Sequence, residues 1–216
     1  QPMDAYQVRR GNPDLKSVTF FTNRFSASYR TKGISAEVSA RYSYDDKPIM
    51  EETLYENGMF VRTYDNQKAF HRLNFQANLQ LQPFKQYVSI KLNPYFNRYI
   101  SRGNTYTHTH SNWGFRGSII GMYKNWIAML DMFTSYHEFW GETINKGEAV
   151  HSVALGYNKE KWAIQALVFN PFTNDYHQGV ENVSKLAPNK QVAFSRDFCP
   201  MFMLNVSFNL NFGKQK

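Results

Sequence analysis

The stretch FMLNVSFNLNF at residues 202–212 decides the fold. Apolar and mainly polar side chains alternate along it, and a helix would place both kinds on the same face. Because successive side chains of a strand point to opposite faces, a period of two predicts a strand with one apolar and one mainly polar face. The apolar set is Phe202, Leu204, Val206, Phe208, Leu210 and Phe212, and the other set is Met203, Asn205, Ser207, Asn209 and Asn211.

The same alternation recurs along the chain. Residues 73–81 and 34–44 repeat it clearly, each with a polar second face. Weaker copies bring the number of predicted strands to about nine. These copies lie at residues 21–29, 88–96, 113–123, 126–132, 150–157 and 162–169.

The composition agrees with strands that have two unlike faces. Aromatic residues make up 17% of the 216 residues, yet the mean hydropathy is −0.57, so apolar and polar side chains must be interleaved. No apolar run approaches the roughly 18 residues of a helical membrane span. The net charge is +8, but the basic residues are scattered, which argues against nucleic-acid binding. The single Cys199 excludes an internal disulfide.

The connections between predicted strands alternate between short and long. Short periplasmic turns and long extracellular loops produce this pattern in outer-membrane β-barrels, so we predict an antiparallel transmembrane barrel in the bacterial outer membrane. The apolar set of the 202–212 stretch is then lipid-facing. The predicted lumen-facing residues are Glu37, Arg41, Asn74, Gln76, Asn78, Gln80, Lys91, Arg116, Asp131, Asn205 and Asn209.

The predicted domain organisation is a single barrel portion over residues 1–216, without a plug domain. Residues 1–17 are expected to form an extracellular loop segment. Residues 45–66 are expected to form an extracellular hairpin, because Asn57 and Gly58 are typical hairpin turn residues. Bacterial single-chain barrels have even strand numbers, so nine strands suggest a portion of a larger barrel.

Short motifs in a fixed order carry a family resemblance. They are GNPDLK at 11–16, YSYDDKPI at 42–49, ENG at 56–58, LQLQPF at 79–84 and VSFNLNFGK at 206–214. Their order and spacing resemble the outer-membrane β-barrel family allied to TonB-dependent receptors, of the type abundant in Bacteroidota. The resemblance covers nearly the whole chain and matches the C-terminal barrel portion.

The resemblance implies a barrel of roughly 22 strands with an N-terminal plug, which imports a scarce nutrient with energy delivered through TonB. The implied partners are outer-membrane lipid, the barrel assembly machinery and a small-molecule, chelate or glycan ligand. Two other readings stay open. One is a structural or adhesive barrel without transport, and the other is a soluble secreted carbohydrate-binding β-sandwich, which would bury the apolar face of residues 202–212.

Few residues suggest specific chemistry. His108 and His110 would share one face of a strand and could hold a metal, although exposed loop histidines are the simpler interpretation. Asp131 could form a structural ion pair with Arg41, Lys91 or Arg116. His151 and Ser152 fall on opposite faces, and no hydrolase or nucleotide-binding motif appears, so we predict neither an enzyme nor a cofactor.

Overall fold

The computed structural model describes residues 2–4, 6–84, 86–197 and 199–209, and its regular elements are all β-strands. They are β1 (Pro2–Asp4), β2 (Gln7–Arg9), β3 (Thr19–Thr31), β4 (Ile34–Asp46), β5 (Ile49–Glu56), β6 (Met59–Asn66), β7 (Ala69–Leu81), β8 (Val88–Arg102), β9 (Thr107–Tyr123), β10 (Trp126–Phe133), β11 (His137–Trp140), β12 (Thr143–Lys146), β13 (Val150–Asn158), β14 (Trp162–Phe169), β15 (Tyr176–Asn182), β16 (Asn189–Ser195) and β17 (Met201–Phe208). No helix in the described part of the chain is long and apolar enough to cross a membrane.

The predicted strands form one antiparallel sheet of nine, in the order β17-β14-β13-β10-β9-β8-β7-β4-β3. We call it the wall sheet. Its order follows the chain, so each inner wall strand pairs with the wall strand before it and the wall strand after it. The nine segments predicted from alternation are these nine strands, and the all-β prediction is confirmed. Strands β3 and β17 are the two edges of the wall sheet in the residues that the structure describes.

The registers keep most of the apolar side chains of the wall strands on one face. Directly opposed residues share a face of a sheet. One row across five strands shows this, because it runs through four aromatic rings and one alanine, in the order Phe25, Ala40, Phe75, Phe96 and Trp113. The wall sheet therefore has a continuous apolar face and a separate polar face.

The apolar face is exposed. Phe202, Leu204 and Phe208 on β17 have 75%, 68% and 69% of their surface accessible. A soluble β-sandwich would bury this face against a second sheet, so the structure contradicts the β-sandwich reading for the described part of β17. Leu210 and Phe212, which were also predicted to be lipid-facing, lie outside the described residues.

Short turns gather at one end of the wall sheet and long connections at the other. The short turns join β3 to β4, β7 to β8, β9 to β10 and β13 to β14. The connection between β8 and β9 lies at the opposite end but is short, because these two long strands leave only residues 103–106 between them. The three long connections carry β5, β6, β11, β12, β15 and β16. Strands β1 and β2 precede β3, and β2 pairs with β6.

The first small sheet has the order β1-β2-β6-β5. Strands β5 and β6 form the hairpin predicted within residues 45–66, and both turn residues, Asn57 and Gly58, have positive φ. This backbone is the favoured hairpin turn for an Asn-Gly pair. Residues 1–17 were predicted to be a loop segment, but β2 lies parallel to β6 and Arg10 forms an ion pair with Glu56 at 2.8 Å.

The second small sheet has the order β11-β12-β15-β16, and we call it the cap sheet. Strands β11 and β12 belong to the connection between β10 and β13, whereas β15 and β16 belong to the connection between β14 and β17. Pairing of β12 with β15 joins the two connections, and an ion pair between Lys146 and Glu181 reinforces the joint. These strands were predicted to be irregular loops.

A buried aromatic core fastens the cap sheet to the wall sheet. Its members are Met50 from the hairpin, Phe70 and Tyr99 from the polar face of the wall, and Phe139 and Ile144 from the cap sheet. Burial of such side chains stabilises by about 1.5–3 kcal/mol each. The main dry core of the described residues thus lies at the long-connection end.

Gly114 allows the chain that enters the cap sheet to approach the wall closely. A Cβ at Gly114 would lie 2.0 Å from Thr134 Oγ1 and 2.6 Å from the Tyr95 hydroxyl oxygen. Thr134 Oγ1 accepts a hydrogen bond from the Phe115 backbone N–H at 2.8 Å, and the Tyr95 hydroxyl donates to the Ser135 carbonyl oxygen at 3.0 Å. A side chain at Gly114 would break both contacts.

We therefore expect Gly114→Ala to destabilise the protein by about 1–3 kcal/mol, the usual cost of overpacking. The measurement is the thermal midpoint of the purified protein in detergent. The matched control is Gly121→Ala on the same strand, where an added Cβ meets no atom within 4 Å. Equal midpoints for the two variants would contradict the close-packing role of Gly114.

Candidate functional site

The predicted lumen-facing residues share the polar face of the wall sheet. The registers align Glu37 with Asn78, Arg41 with Asn74, and Gln80 with Lys91. Further along, Asp131 opposes Ser118, and Gln165 opposes Asn205. Gln76 and Arg116 follow the same alternation on β7 and β9. Asn209 lies just past the end of β17, where its backbone N–H donates to the Lys161 carbonyl oxygen at 2.9 Å.

A row of amide side chains crosses the polar face. Asn74, Asn97 and Asn112 are directly opposed on β7, β8 and β9. Asn74 Nδ2 donates to Asn97 Oδ1 at 2.5 Å, and Asn97 Nδ2 donates to Asn112 Oδ1 at 3.5 Å. Asn112 Nδ2 then reaches the Ser135 carbonyl oxygen at 3.4 Å. The row holds these amides in one orientation and ends beneath the cap sheet.

Three arginines lie diagonally beside this row. Arg24 on β3 directly opposes Arg41 on β4, and Arg41 is the diagonal neighbour of Arg72 on β7. Diagonal neighbours in a sheet are about 7–8 Å apart. Arg72 binds Asp45 at 2.6 Å, and Arg24 lies 3.8 Å from Glu37. Glu37 is therefore paired across the strands with Arg24.

A cavity of about 460 Å³ separates the polar face from the cap sheet, and we call it the cap cleft. Its volume lies within the range of ligand pockets, about 300–1,000 Å³. Arg41, Arg72, Asn74, Asn97 and Tyr99 line its wall side, and Tyr136, Glu138, Trp140 and Asn145 line its cap side. Charged, amide and aromatic groups thus converge on one space.

Two aromatic rings pack together at the cap cleft and contact Arg72. The Phe70 and Trp140 ring centroids lie 4.6 Å apart. The Arg72 guanidinium carbon lies 5.5 Å from the Phe70 centroid and 5.6 Å from that of Trp140. Such cation–π contacts, together with the Asp45 ion pair, hold Arg72 against the wall of the cleft.

The two histidines proposed as metal ligands are held by different partners. His108 Nε2 lies 3.0 Å from Glu142 Oε1, and His110 Nε2 lies 3.2 Å from His137 Nδ1. Both distances are those of ordinary hydrogen bonds. Among the described residues, no group of three or more metal-ligating side chains converges. The geometry assigns these histidines to the attachment of the cap sheet.

Burial sets the protonation of this attachment. Desolvation raises the pKa of Glu142, and its hydrogen bond with His108 partly opposes that rise. Desolvation also raises the pKa of Tyr106 to about 12. The pKa of His137 is lowered, first by desolvation and then by the positive charge of Lys146. His137 therefore remains neutral in the folded protein at pH 7.

The predicted ion pairs of Asp131 do not form among the described residues. Asp131 opposes the two hydroxyl residues Ser118 and Ser152 in the sheet. Arg116, one of its proposed partners, places its guanidinium carbon 4.4 Å from the ring centroid of Phe133 instead. The attraction of an arginine for an aromatic face competes with a partly solvated ion pair.

Several residues of the cap cleft were not foreseen from the sequence. Glu138 belongs to β11, a strand of four residues within a connection that was predicted to be a loop. The segment HEFWGETINK at residues 137–146 carries one signal, Gly141, which has a positive φ of 61° in the turn between β11 and β12. Runs of four residues are too short to separate from loop sequences by period alone.

Protonation of His137 should loosen the cap sheet. The pKa of His137 is lower in the folded protein than its ordinary value, so His137 binds a proton more readily when the cap sheet is detached. The attachment of the cap sheet is therefore stable at pH 7 and loses stability as the pH falls below about 6.5. We expect hydrogen exchange of residues 137–146 to accelerate between pH 7 and pH 5, after correction for intrinsic rates.

The His137→Gln variant is the control, because it removes this titration and leaves that of Glu142. Its exchange should depend less on pH than that of the wild-type protein. Identical profiles for both proteins would show that His137 does not control the attachment.

The geometry defines a class of protein: an antiparallel wall with one exposed apolar face, short turns at one end and structured long connections at the other. The model of the outer membrane protein beta-barrel family matches residues 1–212, and the chain belongs to this family. Its location is the bacterial outer membrane. No curated protein matches the chain, and no solved structure matches it.

Proposed function

We propose that this chain is a wall portion of a receptor-like outer-membrane barrel that takes up a nutrient with energy supplied through TonB. Family membership supports an outer-membrane barrel. The proposal goes further in assigning transport, a barrel of roughly 22 strands and a plug encoded upstream. The motifs at residues 11–16 and 206–214 are its sequence support.

The observation that carries the proposal is the division of the wall sheet into a mainly apolar face and a mainly polar face. Lipid offers no hydrogen bonds and favours an apolar exterior, whereas a lumen tolerates amides and charges. Trp126, Tyr157 and Trp162 lie together beside the short turns, with ring centroids 4.9 and 5.6 Å apart along that order. Such rings are typical of a membrane interface, so the short turns would be periplasmic and the cap sheet extracellular.

The edges of the wall sheet give the reason for further strands. Every backbone group of a spanning strand needs a partner in the membrane. Strand β3 and strand β17 each pair on one side only within the described residues. Further strands of the barrel would pair with both edges, and the barrel assembly machinery would insert the closed product. A structured cap over the polar face favours a ligand-handling barrel over a purely structural one.

The test of the lipid-facing assignment compares two neighbouring residues of β17. Leu204 lies on the apolar face and Met203 on the polar face, with 68% and 45% of their surfaces exposed. Leu204→Lys would place a charge in lipid near the middle of the strand, at a cost of about 2–4 kcal/mol. Met203→Lys would place the same charge in the lumen.

The complete barrel protein that contains this chain is expressed with a signal peptide, fractionated, and examined for heat-modifiable migration on a gel. We expect the wild type and Met203→Lys to yield a heat-modifiable band in the outer-membrane fraction, and Leu204→Lys to lose most of it. Equal loss for the two lysine variants would overturn the assignment of faces. A product that dissolves without detergent would contradict the assignment of the wall sheet to the membrane.

A further inference from the structure

We propose that the cap cleft binds a short peptide, with the peptide carboxylate at Arg41 and the peptide ammonium group at Glu138. This inference rests on the proposed function, in which the cleft faces the lumen below the extracellular end. It deepens that function by naming the chemical class of the ligand.

Of the three arginines beside the amide row, Arg41 has no carboxylate partner among the described residues. Arg24 and Arg72 on either side of it have the carboxylates of Glu37 and Asp45. Arg41 forms no ion pair with any residue that the structure describes. Like charges opposite each other destabilise a sheet. A bound carboxylate would relieve this repulsion, because a guanidinium binds a carboxylate through two parallel hydrogen bonds.

Glu138 is the corresponding anion on the other side of the cleft. It lies on β11 of the cap sheet, is exposed, and likewise has no ion-pair partner within the described ranges. A purely anionic ligand would be repelled by Glu138, and a purely cationic ligand by Arg41. The cleft therefore favours a ligand that carries both charges.

The placement of the two charges favours a peptide over a free amino acid. Arg41 belongs to the wall and Glu138 to the cap, so the two charges lie on opposite sides of the cleft. A free amino acid carries both charges on one carbon, whereas an extended peptide separates them by about 3.3–3.6 Å for each residue. Asn74 and Asn145 offer amide partners for a peptide backbone, and Trp140 and Tyr136 offer rings for an apolar side chain.

The test uses four probes on the complete protein, purified from the outer membrane in detergent after its heat-modifiable migration has been confirmed. The probes are the tripeptide Ala-Phe-Ala, its N-acetylated form, its C-terminal amide and free phenylalanine. Calorimetry should show the tripeptide binding about tenfold or more tightly than each other probe, since each of them lacks one charge or the separation between the charges.

Two variants assign the charges to their sites. Arg41→Gln should weaken the tripeptide and the acetylated peptide by about tenfold and leave the peptide amide unchanged. Glu138→Gln should weaken the tripeptide and the peptide amide and leave the acetylated peptide unchanged. The matched control is Arg30→Gln, which removes an exposed arginine on the same polar face beside the short turn and should change nothing.

Binding of the tripeptide that is no tighter than that of free phenylalanine would overturn the proposal. Equal losses in Arg41→Gln and Arg30→Gln would also overturn it, because the effect would then come from the general charge of the polar face. A heat-modifiable protein that binds none of the probes would refute the peptide site and leave the barrel wall intact. A protein that is soluble without detergent would refute both.

Discussion

A strand in hydrocarbon can satisfy its backbone only by pairing with another strand, and the wall sheet follows from this constraint. Since pairing fixes the register, it also fixes which side chains share a face. A slip of one residue between β4 and β7 would move Phe75 and Leu79 to the polar face and Asn74 and Asn78 to the apolar one. The alternation in each strand therefore selects the single register that keeps lipid and amide groups apart.

The polar face uses the same pairing for a different purpose. Direct opposition on neighbouring strands lines up Asn74, Asn97 and Asn112, and their hydrogen bonds orient each amide. Amides on isolated strands would adopt many rotamers. The row ends at the Ser135 carbonyl oxygen, which belongs to the connection that carries the cap sheet. The polar face thus supports both the predicted lumen and the cap cleft above it.

The cap sheet owes its position to a dry core at one end of an otherwise open sheet. Phe70 and Tyr99 are polar-face positions by alternation, yet they are buried because Met50, Phe139 and Ile144 cover them. Gly114 removes the side chain that would block the approach. The part-buried pairs of His108 with Glu142 and of His110 with His137 add hydrogen bonds beside this core.

The sequence by itself determined the nine wall strands, their two faces and the hairpin at residues 45–66, because a period of two and an Asn-Gly turn are local properties of the chain. The sequence could not place Glu138, Trp140 or Glu142, nor predict that β12 would pair with β15. Strands of four residues carry too little pattern, and partners separated by 33 to 39 residues meet only when the wall brings their connections together. The pairs that hold His108 and His110 and the opposition of Arg41 to Glu138 are consequences of that meeting, so the tertiary structure alone decided them.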